Sequence, residues 1–226
     1  MYLRNRWYCA AVSDELGTAP LGRILLDEPV VLYRKSDGAL VALEDRCCHR
    51  RAPLSKGKVE GDKLRCGYHG FLYEPGGNVV WVPGQDKVPP GARVRAYPLV
   101  EKHGFAWIWM GAPSQADPAT IPDFHWNDDP EFAAVAGLLP VAADYRLLMD
   151  NLMDLSHVSF LHAATIGSTM RVVLSPTPPE ECLSTAISTI PVKSRILPES
   201  TMARVKSVVS CAVMPFKTIA MAQADT

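Results

Sequence analysis

The sequence lacks a surplus of charge of either sign, and it lacks any long apolar run. Its 23 Lys and Arg residues and 24 Asp and Glu residues leave a formal net charge of −1. A chain without basic excess has little with which to neutralise phosphates, so we expect no nucleic acid partner. No apolar stretch reaches the roughly 20 residues that a membrane-spanning helix needs, so we expect no membrane span either.

The start of the chain, residues 1–7, also lacks the apolar segment of a secretory signal. We therefore predict a cytoplasmic protein. The six cysteines of such a chain are expected to be thiols or metal ligands rather than disulfide partners. Its 226 residues, 48% of them hydrophobic, are enough for one large domain or two small ones.

Two pairs of metal-binding residues stand close together in the first half of the chain. Cys47-x-His49 is followed, after a gap of sixteen residues, by Cys66-x-x-His69. Thiolates and imidazoles suit zinc or an iron–sulfur cluster rather than magnesium or calcium. A two-iron two-sulfur cluster with two cysteines on one iron and two histidines on the other needs one Cys and one His from each of two loops, which is the order here. The pattern favours iron, and a Cys2His2 zinc ribbon is the alternative.

The residues around these pairs extend the pattern. The first pair lies in Cys47-x-His49-Arg50-x-Ala52-Pro53-Leu54-Ser55-x-Gly57, and the second lies in Cys66-x-Tyr68-His69-Gly70. Together they resemble the Rieske domain of the Rieske non-haem iron oxygenases. Two positions depart from the usual pattern, since Cys48 stands where Pro is common and Phe71 stands where Trp is common. Cys48 gives the first loop a second thiol, and the spacing favours Cys47 as the ligand. The resemblance implies a [2Fe–2S] cluster bound by Cys47, His49, Cys66 and His69.

Short runs of β-branched and aliphatic residues alternate with turn signals before residue 113. These runs include residues 24–26, 30–33, 40–43 and 105–110. The turn signal between residues 33 and 41 predicts a β-hairpin. Pro, Ala and Ser residues over 111–118 suit a loop or linker. We therefore predict an all-β domain over residues 1–113 and a second domain over residues 114–226.

Further potential metal-binding residues follow in the second domain. Asn151, Asp154 and His157 are spaced three residues apart, so we predict that they share one face of a helix. His162 lies five residues after His157, which places the two side chains about 140° apart on a regular helix. Both imidazoles can reach one metal only if the helix ends or widens between them. We therefore predict a π-type turn or a helix end near Ser159.

This stretch resembles the mononuclear-iron helix of the same family, whose pattern is Asn-x-x-Asp-x-x-His-x-x-x-x-His. The resemblance implies that His157 and His162 bind a ferrous iron and that a carboxylate from later in the chain completes the site. It also implies catalytic roles for Asn151 and Asp154. Asp154 would bridge His157 and a Rieske histidine across a subunit interface. The alternative is an amphipathic surface helix with two ordinary histidines.

The resemblance also predicts the fold and the activity. It implies an α+β chain in which the all-β Rieske domain precedes part of an α+β catalytic domain of the helix-grip type. The N-terminal segments Asn5-Arg6-Trp7-Tyr8 and Leu21-Gly22-Arg23 are most similar to the branch that acts on aryl methyl ethers and methylated aryl sulfonates. We therefore expect a monooxygenase that uses O2 to hydroxylate or O-demethylate a small aromatic substrate.

Electrons for this reaction need a separate source, because the sequence contains no Gly-x-Gly-x-x-Gly dinucleotide fingerprint. The resemblance implies a separate NADH-dependent reductase, with or without a ferredoxin, and a homotrimer. Two other functions stay open. One is a Rieske-type electron carrier, for which residues 1–113 would suffice, and the other is a truncated oxygenase with an impaired mononuclear site.

The last part of the chain lacks glycine, tryptophan, tyrosine and histidine altogether. At average usage, about four glycines would be expected in the 58 residues 169–226. The resemblance stops at about Ser168. The tail is therefore either a diverged or shortened catalytic domain or an out-of-frame extension. No third iron ligand is identified among its carboxylates, which are Glu180, Glu181, Glu199 and Asp225.

Overall fold

The structure is a computed structural model, and it describes residues 2–134, 141–161 and 206–208. The described residues fall into two compact units, which divide between Ile121 and Pro122. The described part contains no helix long and apolar enough to cross a membrane.

The first unit is built from β-strands and short 3₁₀ turns. Its described residues form ten strands: β1 (Trp7–Val12), β2 (Leu21–Leu25), β3 (Glu28–Arg34), β4 (Leu40–Glu44), β5 (Lys58–Glu60), β6 (Lys63–Arg65), β7 (Leu72–Tyr73), β8 (Val79–Trp81), β9 (Leu99–Lys102) and β10 (Phe105–Trp109). The 3₁₀ turns cover Ser13–Glu15, Leu54–Lys56, Pro113–Gln115 and Pro118–Thr120. The prediction of an all-β N-terminal region is confirmed.

The ten strands pair into three antiparallel sheets. Their strand orders are β1-β10-β9, β2-β3-β4 and β5-β6-β7-β8. Strands β3 and β4 pair with Tyr33 opposite Val41, which confirms the predicted hairpin. The first metal-binding pair lies in the loop between β4 and β5, and the second lies in the loop between β6 and β7.

Strand β3 is buried on both of its faces, and it separates two hydrophobic cores. Val30 and Leu32 belong to a core with residues of β1 and β10, while Val31 and Tyr33 belong to a second core. Successive side chains of a strand point to opposite faces, so the continuous apolar run of β3 serves both cores. The second core also contains Cys47 and Cys66 of the predicted metal site. Leu43, Leu54, Leu64 and Tyr73 belong to it as well.

Residues beyond β10 continue to pack within the first unit. The Nε1–H of Trp7 donates a hydrogen bond to the carbonyl of Asp117 at 2.8 Å, so the segment predicted as a loop or linker is fixed to β1. The domain boundary at residue 113 stays a prediction.

The second unit is described over shorter stretches. Strand β11 (Phe132–Ala134) pairs in parallel with β12 (Lys206–Val208). Helix α1 covers Tyr145–Met153, and the short helix α2 covers Val158–Leu161. A 3₁₀ turn over Leu155–His157 separates the two helices, and another covers His125–Asn127. Helix α1 begins after Asp144, whose carboxylate accepts the N–H of Arg146 at 3.0 Å as an N-cap.

Candidate metal centre

The two loops that carry the predicted cluster ligands have the same backbone hydrogen bonds. In the first loop, the N–H of Cys47 donates to the carbonyl of Ala52 and the N–H of Arg51 donates to the carbonyl of Cys47, both at 2.8 Å. In the second loop, the N–H of Cys66 donates to the carbonyl of Phe71 at 2.8 Å, and the N–H of Gly70 donates to the carbonyl of Cys66 at 3.1 Å. Each cysteine therefore begins a turn of the same kind.

The fourth residue after each cysteine has a left-handed backbone. Arg51 has a φ of 56° and Gly70 has a φ of 75°. Glycine adopts this region freely, whereas a residue with a Cβ pays a conformational cost there. Both loops therefore need a left-handed residue at this position. The second loop has glycine there, whereas the first loop has Arg51 in a strained conformation.

The structure brings the four predicted ligands together as two pairs. The thiols of Cys47 and Cys66 are close enough to share a hydrogen bond, and both residues are buried. The imidazole rings of His49 and His69 have centroids 4.7 Å apart and are exposed. Within the described ranges, no three His, Cys, Asp or Glu side chains converge to hold a single ion. Two separate pairs fit a cluster with two irons better than a Cys2His2 zinc site.

The electrostatics of the cysteine pair suit a bound metal. Burial raises the pKa of the Cys66 thiol, and the N–H groups of Tyr68 and His69 oppose this rise by hydrogen bonding to its sulfur. The nearby Cys47 thiol adds to the rise. Two adjacent buried thiols ionise when a cation compensates their charge, and metal binding supplies that charge. The donor set therefore fits a [2Fe–2S] cluster.

Tyr73 reaches the first loop from strand β7. Its hydroxyl oxygen lies 3.1 Å from the sulfur of Cys47 and 3.2 Å from the sulfur of Cys48, and it accepts the N–H of Cys48 at 3.1 Å. Tyr73 is fully buried. Burial and the contacts with both cysteines hold its pKa above the usual range, so the hydroxyl keeps its proton. The sequence did not identify Tyr73, because it lies outside both ligand motifs.

Asp45 fixes the first loop at its two ends. Its buried carboxylate accepts the backbone N–H of Ser55 at 2.6 Å and the Ser55 hydroxyl at 2.5 Å. Residues 46–54, which include Cys47 and His49, lie between the two partners. The bond pair therefore holds the loop closed around its two ligands.

The glycine of the first motif brings the two loops together. A Cβ atom at Gly57 would lie 2.0 Å from the carbonyl oxygen of Arg65, so only glycine fits at this position. Arg65 immediately precedes Cys66, and its guanidinium donates to the carbonyl of Gly70 at 2.9 Å. The end of the first motif therefore packs directly on the strand that leads into the second pair.

The second predicted site differs from the sequence-based expectation. Helix α1 ends at Met153, and Asp154 is its non-helical C-cap, so Asn151, Asp154 and His157 do not share one α-helix. The break lies at Asp154, before the predicted position at Ser159. Its cause is local, because the Asp154 carboxylate accepts the N–H and hydroxyl of Ser156 at 3.1 and 2.5 Å. Such a side-chain bond competes with the continuation of a helix.

The described contacts place Asp154 next to His157 in an unexpected way. The Nδ1 atom of His157 contacts the backbone carbonyl of Asp154, whereas we expected the carboxylate to be its partner. Asn151 is exposed on α1, and His162 lies outside the described residues. The mononuclear-iron site therefore stays a prediction.

The structure describes four of the six cysteines. Four of the six, Cys9, Cys47, Cys48 and Cys66, are free thiols in the structure. The other two, Cys182 and Cys211, lie outside the described residues.

Comparison with known proteins identifies the class of this site. Residues 6–98 match the Rieske [2Fe-2S] domain family. Residues 141–202 match the family of vanillate O-demethylase oxygenase C-terminal domains. The second match passes Ser168, where we expected the resemblance to stop. The chain is thus an iron–sulfur protein of the Rieske class.

Individual relatives agree with both matches. The iron-sulfur subunit of the toluene-4-sulfonate monooxygenase system of Comamonas testosteroni is 45% identical over 177 residues, which cover 78% of this chain and 51% of that protein. The vanillate O-demethylase oxygenase subunit of a Pseudomonas species is 45% identical over 167 residues, which cover 74% of this chain and 47% of that protein. The chain spans about half the length of these relatives.

A solved structure supports the fold. The crystal structure of dicamba monooxygenase with non-haem iron and dicamba superposes with a TM-score of 0.65 at 45% identity, over 69% of this chain and 48% of that one. The predicted α+β fold class is confirmed. This chain belongs to the Rieske non-haem iron oxygenases, in the branch with a vanillate O-demethylase type of C-terminal domain.

Proposed function

We propose that the chain is the oxygenase component of a multicomponent monooxygenase that hydroxylates or O-demethylates a small aromatic compound with O2. The observation that carries the proposal is the meeting of a buried cysteine pair and an exposed histidine pair from two loops of the same geometry. The relatives support the reaction class, because their names describe monooxygenase and O-demethylase oxygenase subunits.

Cys47, His49, Cys66 and His69 would hold the [2Fe–2S] cluster, and His157 and His162 would hold the mononuclear iron. When bound, the cluster supplies one-electron transfer and the mononuclear iron supplies O2 activation. Asn151 and Asp154 keep their proposed catalytic roles beside the iron. Asp154 would meet a Rieske histidine of a neighbouring subunit in a homotrimer.

The residues of the first unit prepare the cysteine pair for this task. The Tyr73 hydroxyl oxygen lies 3.1 Å from the Cys47 sulfur, where its O–H would stabilise negative charge on a thiolate. The N–H groups of Tyr68 and His69 do the same for Cys66. Stabilised thiolates favour the more negative, reduced state of the site, so these donors raise its reduction potential. Burial of both sulfurs excludes water from this side.

Electron delivery would come from a separate NADH-dependent reductase, directly or through a ferredoxin. The word "system" in the name of the Comamonas relative supports a multicomponent arrangement. Residues 1–113 would form the electron-accepting domain, and residues 114–226 would form part of the catalytic domain.

A Rieske-type electron carrier is the second candidate. It would need only the cluster-binding part of the chain, whose residues 6–98 match the Rieske [2Fe-2S] domain family. An oxygenase with an impaired mononuclear site is a further candidate, because the third iron ligand is not identified. The identity of the third iron ligand decides between an active and an impaired oxygenase.

Metal analysis of the purified chain tests the proposal. An oxygenase should contain three irons per chain, whereas a carrier should contain two. His69→Ala should abolish the visible cluster spectrum. His157→Ala should keep that spectrum but remove one iron and any O2-dependent turnover. One zinc per chain and no visible colour would contradict the iron–sulfur assignment.

A further inference from the structure

Three polar groups of the first ligand loop meet at the hydroxyl of Tyr73. The N–H of Cys48 donates to the hydroxyl oxygen at 3.1 Å. The sulfur atoms of Cys47 and Cys48 lie 3.1 and 3.2 Å from the same oxygen. Tyr73 itself has no exposed surface. The direction of its O–H bond is therefore set by these three neighbours.

A phenol hydroxyl has one proton to donate, and here two sulfurs can accept it. A cysteine that binds a metal is a thiolate, and a charged acceptor forms a hydrogen bond roughly twice as strong as a neutral one. The proton is then directed to Cys47. A donor on the other side of the oxygen strengthens this bond, because hydrogen bonds in a chain polarise one another.

We propose that the backbone N–H of Cys48 is a positioning group for the cluster. By donating to the Tyr73 oxygen, it polarises the hydroxyl and strengthens the bond from the hydroxyl proton to the Cys47 thiolate, which would raise the reduction potential of the site. This inference rests on the proposed cluster at Cys47. It assigns a function to a residue that is not itself a ligand.

The identity of residue 48 matters for this arrangement. Proline is common at this position in the family that the motif resembles, and proline has no N–H to donate. In such a loop the tyrosine oxygen loses this donor. Cys48 therefore gives this chain a hydrogen bond at Tyr73 that a proline-containing loop cannot form.

The test compares Cys48→Ala, which keeps the N–H, with Cys48→Pro, which removes it. Both changes are made in the full chain, with Tyr73 intact and with Tyr73→Phe. The reduction potential of each protein is measured by titration of its visible spectrum. We expect Tyr73→Phe to lower the potential, Cys48→Pro to lower it by a smaller amount, and Cys48→Ala not to lower it. Combined with Tyr73→Phe, the two Cys48 variants should have equal potentials.

Two results would overturn the inference. Equal potentials for Cys48→Pro and Cys48→Ala with Tyr73 intact would show that the N–H has no effect. A drop for Cys48→Pro that persists with Tyr73→Phe would show that proline acts through the loop backbone. A parent protein without a Rieske spectrum would overturn the proposed function as well, whereas a normal spectrum with unshifted potentials would overturn this inference alone.

Hydrogen exchange gives a second measurement if Cys48→Pro fails to assemble its cluster. The Cys48 amide should exchange slowly in the oxidised parent protein and faster in Tyr73→Phe, because that variant removes the acceptor. An equal exchange rate in the two proteins would show that the N–H bond to Tyr73 does not form, and the inference would fall.

Discussion

The ring of Phe71 lies parallel to the ring of His49, with centroids 5.0 Å apart and 3° between the ring planes. Phe71 belongs to the second ligand loop and His49 belongs to the first. The carbonyl of Phe71 also closes its own loop by accepting the N–H of Cys66 at 2.8 Å. One residue therefore fixes the second cysteine through its backbone and the first histidine through its side chain.

Removal of this stack should loosen the histidine side of the site. We expect Phe71→Ala to accelerate loss of the cluster about 2- to 10-fold, since an aromatic pair contributes about 0.5–1.5 kcal/mol beyond its buried area. Phe71→Trp keeps a ring in place and serves as the control. The decay of visible absorbance in the presence of an iron chelator measures both rates. Equal rates for the two variants would show that the stack does not hold His49.

The left-handed residues Arg51 and Gly70 should respond in opposite ways to substitution. Gly70→Ala should lower the free energy of unfolding by about 1–2 kcal/mol, because alanine is strained at positive φ. The new Cβ would also lie 3.1 Å from Cγ of Pro83. Arg51→Gly should leave stability unchanged or raise it by up to about 1 kcal/mol, since relief of strain is partly offset by a more flexible unfolded chain. Denaturant unfolding measures both, and a large loss for Arg51→Gly would contradict the prediction.

The two hydrogen bonds between Asp45 and Ser55 should make the stability effects of mutating these residues non-additive. Ser55→Ala and Asp45→Ala should each cost about 1–3 kcal/mol, because each leaves a buried polar group without its partner. The double variant should cost much less than the sum of the two. Lys35→Ala breaks an exposed ion pair with Asp37 and is the control, with a much smaller expected effect because solvent screens such pairs. Additive losses in the double variant would refute the coupling.

Glu28 should make stability depend on pH in the acid range. Burial opposes ionisation of its carboxyl, but hydrogen bonds from Tyr97 and Arg4 outweigh that effect and hold the pKa of Glu28 below its usual range. Arg95 adds a further bond at 3.1 Å. Because the folded pKa is lowered, this stabilisation is present above the unfolded value of about 4.3 and is lost as pH falls through the folded value.

Glu28→Gln should therefore cost about 1 kcal/mol at pH 7, discounted for the partial exposure of the group, and nothing at the lowest pH. Unfolding curves at several pH values between neutrality and strong acid measure the difference between the two proteins. A constant difference across this range would show that the charge of Glu28 is not responsible.

The four residues proposed as cluster ligands could be selected from sequence because their information is local. Cys47 with His49 and Cys66 with His69 are short-range pairs, and their types and spacing already specify a chemistry. Tyr73 and Asp45 were not predictable in the same way. Tyr73 reaches Cys47 because both residues pack in the second core, and Asp45 reaches Ser55 because the loop between them closes. Neither contact has a signature in the residues nearby.

The presence of helix α1 was predicted from the sequence, but its C-terminal end was not. A helix was expected at this point of the chain, and the structure has one over Tyr145–Met153. Its end at Asp154 was not expected, because the spacing of Asn151, Asp154 and His157 fits a continuous helix. The N–H and hydroxyl of Ser156 donate to the Asp154 carboxylate, and these bonds compete with continuation of the helix. The three-residue spacing in the sequence gives no information about these side-chain hydrogen bonds.

The burial of β3 on both faces has a consequence for how the first unit unfolds. Successive side chains of β3 alternate between the two cores, so the strand cannot leave one core without leaving the other. A shift of β3 by one residue would exchange the faces of Val30 and Val31 and disrupt both. The first unit should therefore melt in a single cooperative step. Loss of visible colour and loss of buried tryptophan fluorescence should then share one midpoint temperature.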